Sequence, residues 1–201
     1  MKIRFLGLLF LICVLSCFGQ TSPKHYAGPR ILGPYDLDTE MPMSAMFDLL
    51  KVAPIKMASP ICFRSTDGTY MYIERMGMET AEERKYVGGV LLSNFPNCVR
   101  NPVHETSVAV GKWKTKEGLG LGSTKKDVLR TYGKPSEDNL IKGDLYLSII
   151  VGGFQGFVFT IKPKPDIGDE VFEYTEKDSL LTTDFGLRKG IIIWISISKD
   201  E

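Results

Sequence analysis

The chain has 201 residues, with 25 lysines and arginines, 24 aspartates and glutamates and a formal net charge of +1. This near-neutral balance argues against a nucleic-acid-binding protein, whose phosphate contacts need a basic surplus. The length is sufficient for one sizeable domain or two small ones, with a hydrophobic core large enough to fold without a stabilising metal ion.

The first 19 residues are typical of a secretory signal peptide. Lys2 and Arg4 precede an apolar run over residues 5–15, and small or polar residues follow over residues 16–20. The apolar run is too short for a helix that crosses a bilayer, which needs about 20 residues. We therefore expect export, after which 23 basic and 24 acidic side chains remain and the net charge is −1.

Two processing routes fit the signal region. Residues 14–17, Val-Leu-Ser-Cys, are similar to a bacterial lipobox, in which Cys17 becomes the lipidated N-terminus. Cleavage near Gly19 by ordinary signal peptidase fits as well and would release the protein. We expect a periplasmic protein, an outer-envelope lipoprotein or a secreted protein, which contacts a membrane only through the possible lipid on Cys17.

Cys62 and Cys98 are the only cysteines after the signal region. In an oxidising compartment an isolated pair is more often a disulfide than two free thiols. We therefore predict a Cys62–Cys98 bridge, worth about 3 to 4 kcal/mol in the chain-entropy description.

The first half of the mature chain predicts a helix followed by a meander of strands. Residues 20–35 are rich in proline and glycine, which predicts an extended lead-in. Thr39 and Pro42 predict a helix start, apolar residues at helical spacing follow, and Pro54 ends the pattern. Strands are predicted over residues 61–64, 69–75 and 87–92, with an Asp-Gly hairpin turn at residues 67 and 68.

The second half repeats this order. A loop over residues 94–102 leads to an alternating strand over residues 106–113. Residues 118–136, GLGLGSTKKDVLRTYGKPS, predict a capped helix that starts at Ser123 or Thr124, with Asp127 close behind, and stops at Gly133. Further strands are predicted over residues 144–151, 154–162 and 190–198.

These elements predict the α+β class. We expect an antiparallel sheet of about six strands with two short helices packed on one face. A shift of 82 residues places the first predicted helix on the second, so the domain prediction is a tandem repeat with one helix-plus-meander unit over residues 36–100 and another over residues 101–201.

Residues 122–135, GSTKKDVLRTYGKP, resemble the helix motif of the outer-membrane assembly lipoproteins of the BamE (SmpA/OmlA) type. Their tandem-repeat relatives, the β-lactamase-inhibitory proteins, double the unit, as the predicted repeat of this chain would. The first half departs from the motif because it lacks the glycine before the proline. The resemblance implies an α+β module that serves as a scaffold, an inhibitor or an envelope-binding domain, without chemistry of its own.

No residue spacing in the sequence matches a catalytic or metal-binding pattern. Gly118, Gly120 and Gly122 precede a helix but meet neither phosphate-loop spacing nor the dinucleotide fingerprint. His104 and Glu105 could begin a metal site or supply a general base, but a surface-loop histidine is the simpler interpretation. The carboxylate pairs at residues 82–83 and 169–170 are more typical of solvated loops than of an acid/base pair. We therefore expect no catalytic residue, no metal and no cofactor.

A sheet face left uncovered by helices would instead present aromatic side chains to a partner. The candidate binding-face aromatics are Tyr70, Tyr72, Phe154 and Trp194. The leading hypothesis is a non-enzymatic exported binding or scaffold protein that engages a protein partner. An extracytoplasmic enzyme or enzyme inhibitor with a loop-built site is the first alternative, and a small-ligand carrier with an apolar cavity is the second. The sequence does not predict an oligomeric state.

Overall fold

The computed structural model describes residues 28–56, 60–76, 85–96, 102–140, 168–175 and 181–199. Within these ranges the chain forms helices α1 (Met43–Leu50) and α2 (Lys125–Tyr132). The strands are β1 (Ile31–Leu32), β2 (Tyr35–Asp36), β3 (Ile61–Ser65), β4 (Tyr70–Arg75), β5 (Val87–Ser93), β6 (Val103–Thr106), β7 (Glu137–Leu140), β8 (Glu170–Thr175), β9 (Leu181–Arg188) and β10 (Ile191–Lys199).

Eight of these strands form one sheet in the order β6-β3-β4-β5-β10-β9-β8-β7. Every neighbouring pair is antiparallel except β6 and β3, which run parallel. The α+β class is therefore compatible with the structure, but the prediction of an antiparallel sheet of about six strands is wrong: the sheet is mixed and larger. β6 lies at the edge of the sheet and runs in the same direction as β3.

The two predicted units share this sheet, because β5 of the first unit pairs with β10 of the second. β6 follows the predicted boundary at residue 100 and yet pairs with β3 of the first unit. The tandem repeat stays a prediction.

Helix α1 occupies the predicted position with different ends. Its N-cap is Pro42, with no side-chain cap, and it ends at Lys51, which has a left-handed conformation with φ 55°. Thr39 instead donates a side-chain hydrogen bond to the carbonyl of Asp36, 3.2 Å away. The apolar side chains Met43, Met46, Phe47 and Leu50 are all buried.

Helix α2 confirms the predicted capping chemistry. The Thr124 side chain accepts a hydrogen bond from the backbone N–H of Asp127, and the Asp127 carboxylate accepts one from the backbone N–H of Thr124. This capping box satisfies two backbone donors that a helix start otherwise leaves unpaired. The helix ends at Gly133, where φ is 73°.

The predicted strand over residues 106–113 is misplaced. The structure ends β6 at Thr106, and residues 110–112 form a 3-10 turn. The Thr106 hydroxyl donates to the carbonyl of Leu50 and accepts from the N–H of Val108. The Thr106 side chain thus satisfies the N–H of Val108, which a strand partner would otherwise satisfy, and a carbonyl at the end of α1.

The C-terminal strands were the least predictable part of the fold. The predicted strands over residues 144–151 and 154–162 lie outside the described residues. Strands β8 and β9 had no counterpart in the prediction. Asp184 and Gly186 lower the strand propensity of β9, whereas β8 carries strand-favouring residues that the prediction did not use. Strand β10 is confirmed, with a bulge between Ile192 and Trp194.

That bulge interrupts the alternation of side chains along β10. Ile192 joins Ile195 and Ile197 in the core on the helix side, while Ile193 packs against the cluster that holds Trp194. A β-bulge inserts one residue and so switches which face the following side chains occupy. Side chains of β10 therefore alternate between the two sheet faces before the bulge and again after it, but the pattern does not continue across it.

Both helices contribute to one hydrophobic core on a single sheet face, together with side chains from β3, β4, β5, β8, β9 and β10. The predicted lead-in is also part of this body from residue 28 onward, since Leu32 and Tyr35 are buried in the same core. Among the described residues, no helix is long and apolar enough to cross a membrane.

Candidate binding surface

The predicted aromatic binding face is largely closed. Tyr72 is 9% exposed and Trp194 is 3% exposed, and both belong to a second buried cluster with Cys62, Leu91 and Val171. Tyr70 is half-buried, and Phe154 lies outside the described residues. The expectation of an aromatic surface patch is therefore corrected for Tyr72 and Trp194, which the structure uses as core.

Cys62 is disulfide-bonded and fully buried. Its predicted partner, Cys98, lies outside the described residues, as does the candidate lipidation site Cys17. The Cys62–Cys98 pairing and the lipidation of Cys17 stay predictions.

His104 lies on β6 beside β3, not in a surface loop. Its ring is half-buried and 5.9 Å from the ring of Phe63, its register partner. Within the described ranges, no three side chains of His, Cys, Asp or Glu come together in a group that could hold a metal ion. Glu105 is exposed on the same edge strand.

The most distinctive surface is formed by residues 112–134, which we call the basic layer. It holds seven basic and two acidic side chains, whereas the other residues after position 19 hold 16 basic and 22 acidic ones. Six of the cations are exposed: Lys112, Lys114, Lys116, Lys126, Arg130 and Lys134. A neutral chain has thus concentrated its positive charge on one short segment, which the overall composition conceals.

The start of the basic layer is clamped by an aspartate in the β3–β4 turn. Asp67 accepts hydrogen bonds from the Ser65 hydroxyl, from the N–H of Thr69 and from the N–H of Gly111 at 3.0 Å. Burial by itself raises the pKa of Asp67, but these hydrogen bonds outweigh it and hold the pKa below its ordinary value of 3.8.

We expect Asp67→Asn to lower the free energy of unfolding by about 1 kcal/mol at pH 7, because a charge-assisted hydrogen bond at a largely exposed site is weak. Since the folded-state pKa is depressed, this stability is present above the unfolded-state pKa and is lost as the pH falls through the folded-state pKa. Urea unfolding of both proteins at several pH values should show the gap closing in acid. Asp48→Asn, at an exposed position of α1, is the control, and an equal gap for Asp67→Asn at every pH would contradict the assignment.

The lead-in holds the next part of the layer. Leu32 and Thr115 form an isolated antiparallel bridge, and the N–H of Gly33 donates to the carbonyl of Lys114 at 2.8 Å. A Cβ on Gly33 would come within 2.6 Å of the Trp113 ring. The ring therefore packs directly on the glycine backbone, which fixes Trp113 beside the lysines.

Helix α2 is anchored to the turn between β9 and β10. The N–H of Gly122 donates to the carbonyl of Ile192, the N–H of Ile192 donates to the carbonyl of Ser123, and the N–H of Lys125 donates to the carbonyl of Gly190. Lys125 also forms an ion pair with Glu170 of β8, and its ammonium lies 4.9 Å from the centre of the Phe172 ring. The first cation of the helix is thus engaged within the protein, in contrast to Lys126.

The underside of the layer is an aromatic cluster. The Tyr132 ring stacks on Phe185 and meets Tyr174 edge-on, with ring centres 5.7 Å apart in both pairs. Its hydroxyl bonds to the Thr115 hydroxyl at 2.8 Å and donates to the Glu117 carboxylate at 2.5 Å. Tyr132 therefore joins the helix, the 115–119 turn and the sheet in one contact.

The two acidic side chains of the layer have partners of their own. Glu117 accepts from Tyr132, and Asp127 pairs with Arg130 at 2.8 Å besides capping the helix. Hydrogen bonds from Thr124 hold the pKa of the Asp127 carboxyl below its ordinary value. Lys112, Lys114, Lys116, Lys126 and Lys134 have no ion-pair partner in the part of the chain that the structure describes.

The layer was not predicted from the sequence. The available signal was the local charge count over residues 112–134, set against the acidic remainder of the chain. Only the folded structure places the lysines before the helix and those within it on one continuous segment over the sheet.

No family model, curated protein or solved structure matches this chain. The resemblance of residues 122–135 to the BamE-type lipoproteins therefore stays a prediction.

Proposed function

We propose that this chain is an exported, non-enzymatic binding or scaffold protein of the cell envelope or extracellular space, and that it engages a protein partner through the basic layer. The observation that carries the proposal is a set of exposed cations on a rigidly supported segment. Lysine side chains without internal partners contribute little to folding at a protein surface, so their concentration needs another reason.

The hydrogen bonds that hold the backbone of the basic layer favour a role in binding a partner over a role in solubility alone. Its backbone is hydrogen-bonded to the lead-in, to the β3–β4 turn and to the β9–β10 turn. A surface that is already ordered loses little conformational entropy when a partner binds. The signal-like N-terminus supports the extracytoplasmic location in which that partner would be met.

Site-specific photocrosslinking in the native host tests this proposal. A photoreactive amino acid replaces Lys116 or Lys134 in the full-length chain, and Lys56 or Arg64, which are exposed outside the layer, in two matched controls. We expect a discrete protein adduct from the first two positions, recovered from the extracytoplasmic fraction. Adducts only from Lys56 or Arg64, or equal adducts from all four positions, would refute the layer as the contact surface.

A further inference from the structure

The arrangement of the lysines defines the chemistry of a partner. Resting on the function proposed above, we infer that the basic layer binds an extended acidic peptide segment of a protein, with Lys112, Lys114 and Lys116 as the row that contacts its carboxylates. The inference uses the conformation of residues 113–116, the position of Lys114 and the distribution of acidic residues around the layer.

Residues 113–116 alternate between the protein interior and solvent. Trp113 packs on Gly33, and Thr115 is buried against Tyr132, while Lys114 and Lys116 are exposed between and beyond them. Alternate residues of an extended chain are about 6.6 to 6.8 Å apart. An extended peptide with acidic residues at every second position has the same repeat, so its carboxylates match this row.

Lys114 connects the row to the helix. An added Cβ on Gly120 would lie 3.1 Å from the Lys114 Cγ, so the lysine stem lies across this glycine. Gly120 in turn donates its N–H to the Ser123 hydroxyl, one residue before the cap of α2. Lys114 therefore lies against the loop that leads into α2.

Trp113 adds an apolar contact to the charged row. Its ring is half-buried and held on the Gly33 backbone between Lys112 and Lys114. Tryptophan is enriched at the centres of protein interfaces, where a fixed ring contributes contact area at little entropic cost. A peptide with one apolar residue beside its acidic positions would use this ring.

Acidic residues near the layer favour a single extended acidic peptide over a wide anionic surface such as a bilayer or a nucleic acid duplex. β2 pairs with β1, and β1 is bridged to Thr115 through Leu32, which places β2 about two strand spacings, or roughly 10 Å, from the row. Asp36 ends β2, and Glu40 is exposed shortly after it. A flat anionic bilayer or a nucleic acid duplex laid over the row would approach these carboxylates, whereas a single extended peptide avoids them.

Fluorescence anisotropy with labelled synthetic peptides tests the inference on the mature chain, residues 20–201. The probe is a 20-residue peptide of alternating glutamate and threonine, compared with a peptide of the same composition in which the glutamates form one block. We expect the alternating peptide to bind at least threefold more tightly, and its affinity to fall steeply with added salt because the contacts are exposed charges.

Charge reversal provides the matched variants. Lys112→Glu, Lys114→Glu and Lys116→Glu together should weaken binding of the alternating peptide at least tenfold. Lys51→Glu, Lys56→Glu and Arg64→Glu change the net charge equally at exposed positions outside the layer and should change the affinity less than twofold. Equal losses in the two triple variants would overturn the inference, and circular dichroism checks that both are folded.

Two further probes separate other polyanions. The probes are vesicles of half phosphatidylglycerol and half phosphatidylcholine, and single-stranded DNA. The inference is overturned if either probe binds the protein more tightly than the alternating peptide does, and if that binding is lost in the variant of Lys112, Lys114 and Lys116 but kept in the control triple variant. If photocrosslinking at Lys116 captures a partner whose contacting segment is not acidic, the peptide inference fails while the proposed function stands. If no adduct forms at the layer, the proposed function itself fails.

Discussion

Replacing Tyr132 by alanine should lower the free energy of unfolding by about 3 to 5 kcal/mol, the range observed when a large buried aromatic side chain is deleted. Tyr132 is 1% exposed and contacts both Tyr174 and Phe185, so its removal leaves a cavity between α2 and the sheet. The Thr115 hydroxyl also loses a partner in a buried position, which adds to the cost. Urea unfolding measures the effect.

Two variants separate the ring of Tyr132 from its hydroxyl. Tyr132→Phe keeps the ring contacts and should cost about 1 to 2 kcal/mol, because the hydrogen bond to the Glu117 carboxylate is lost. Leu129→Ala on the same helix is the control for helix effects, and it should cost little because Leu129 is 36% exposed. A Tyr132→Ala loss no larger than that of Leu129→Ala would contradict the role of Tyr132 as the link between the layer and the sheet.

Replacing Gly186 by alanine should lower the free energy of unfolding by about 3 kcal/mol, at the upper end of the range for overpacking. Gly186 of β9 pairs with Trp194 of β10, and an added Cβ would lie 1.8 Å from the indole nitrogen. Trp194 is 3% exposed, so its indole is enclosed by other protein groups. The ring or the two strands would have to move.

A double-mutant cycle tests this explanation. If Trp194→Leu removes the obstructing ring, Gly186→Ala should cost at least 1 kcal/mol less in that background than in the original protein. Gly190→Ala gives the cost of backbone strain without overpacking for comparison, because Gly190 has φ of 72° and the nearest neighbour of its added Cβ is 3.9 Å away. The explanation is wrong if the two costs of Gly186→Ala are the same in both backgrounds.

Local patterns accounted for a definite part of the fold. Both helices were predicted because their apolar spacing depends on a few neighbouring residues, and the ends of α2 were predicted as well because the Thr124–Asp127 capping box is local. The hairpin of β3 and β4 was predicted from Asp67 and Gly68 for the same reason. Strand β9 was missed because its pairing partners, and not its own propensity, stabilise a segment that contains Gly186.

The candidate surface was predicted less well than the fold. The sequence indicated binding rather than catalysis but assigned it to Tyr72 and Trp194, because strand alternation tells which residues share a sheet face and not whether that face is covered. The lysines of residues 112–134 were visible in the sequence, yet their common support by the lead-in and two turns depends on contacts between distant segments.

The sequence by itself determined the positions of the two helices, the capping box of α2, the β3–β4 hairpin and the excess of positive charge between residues 112 and 134, since each depends on residues close together in the chain. The tertiary structure alone decided the parallel pairing of β6, the bulge in β10, the burial of Trp194 over Gly186 and the support of the basic layer. These features depend on which distant strands become neighbours, and that choice follows from burial of the whole core rather than from any local pattern.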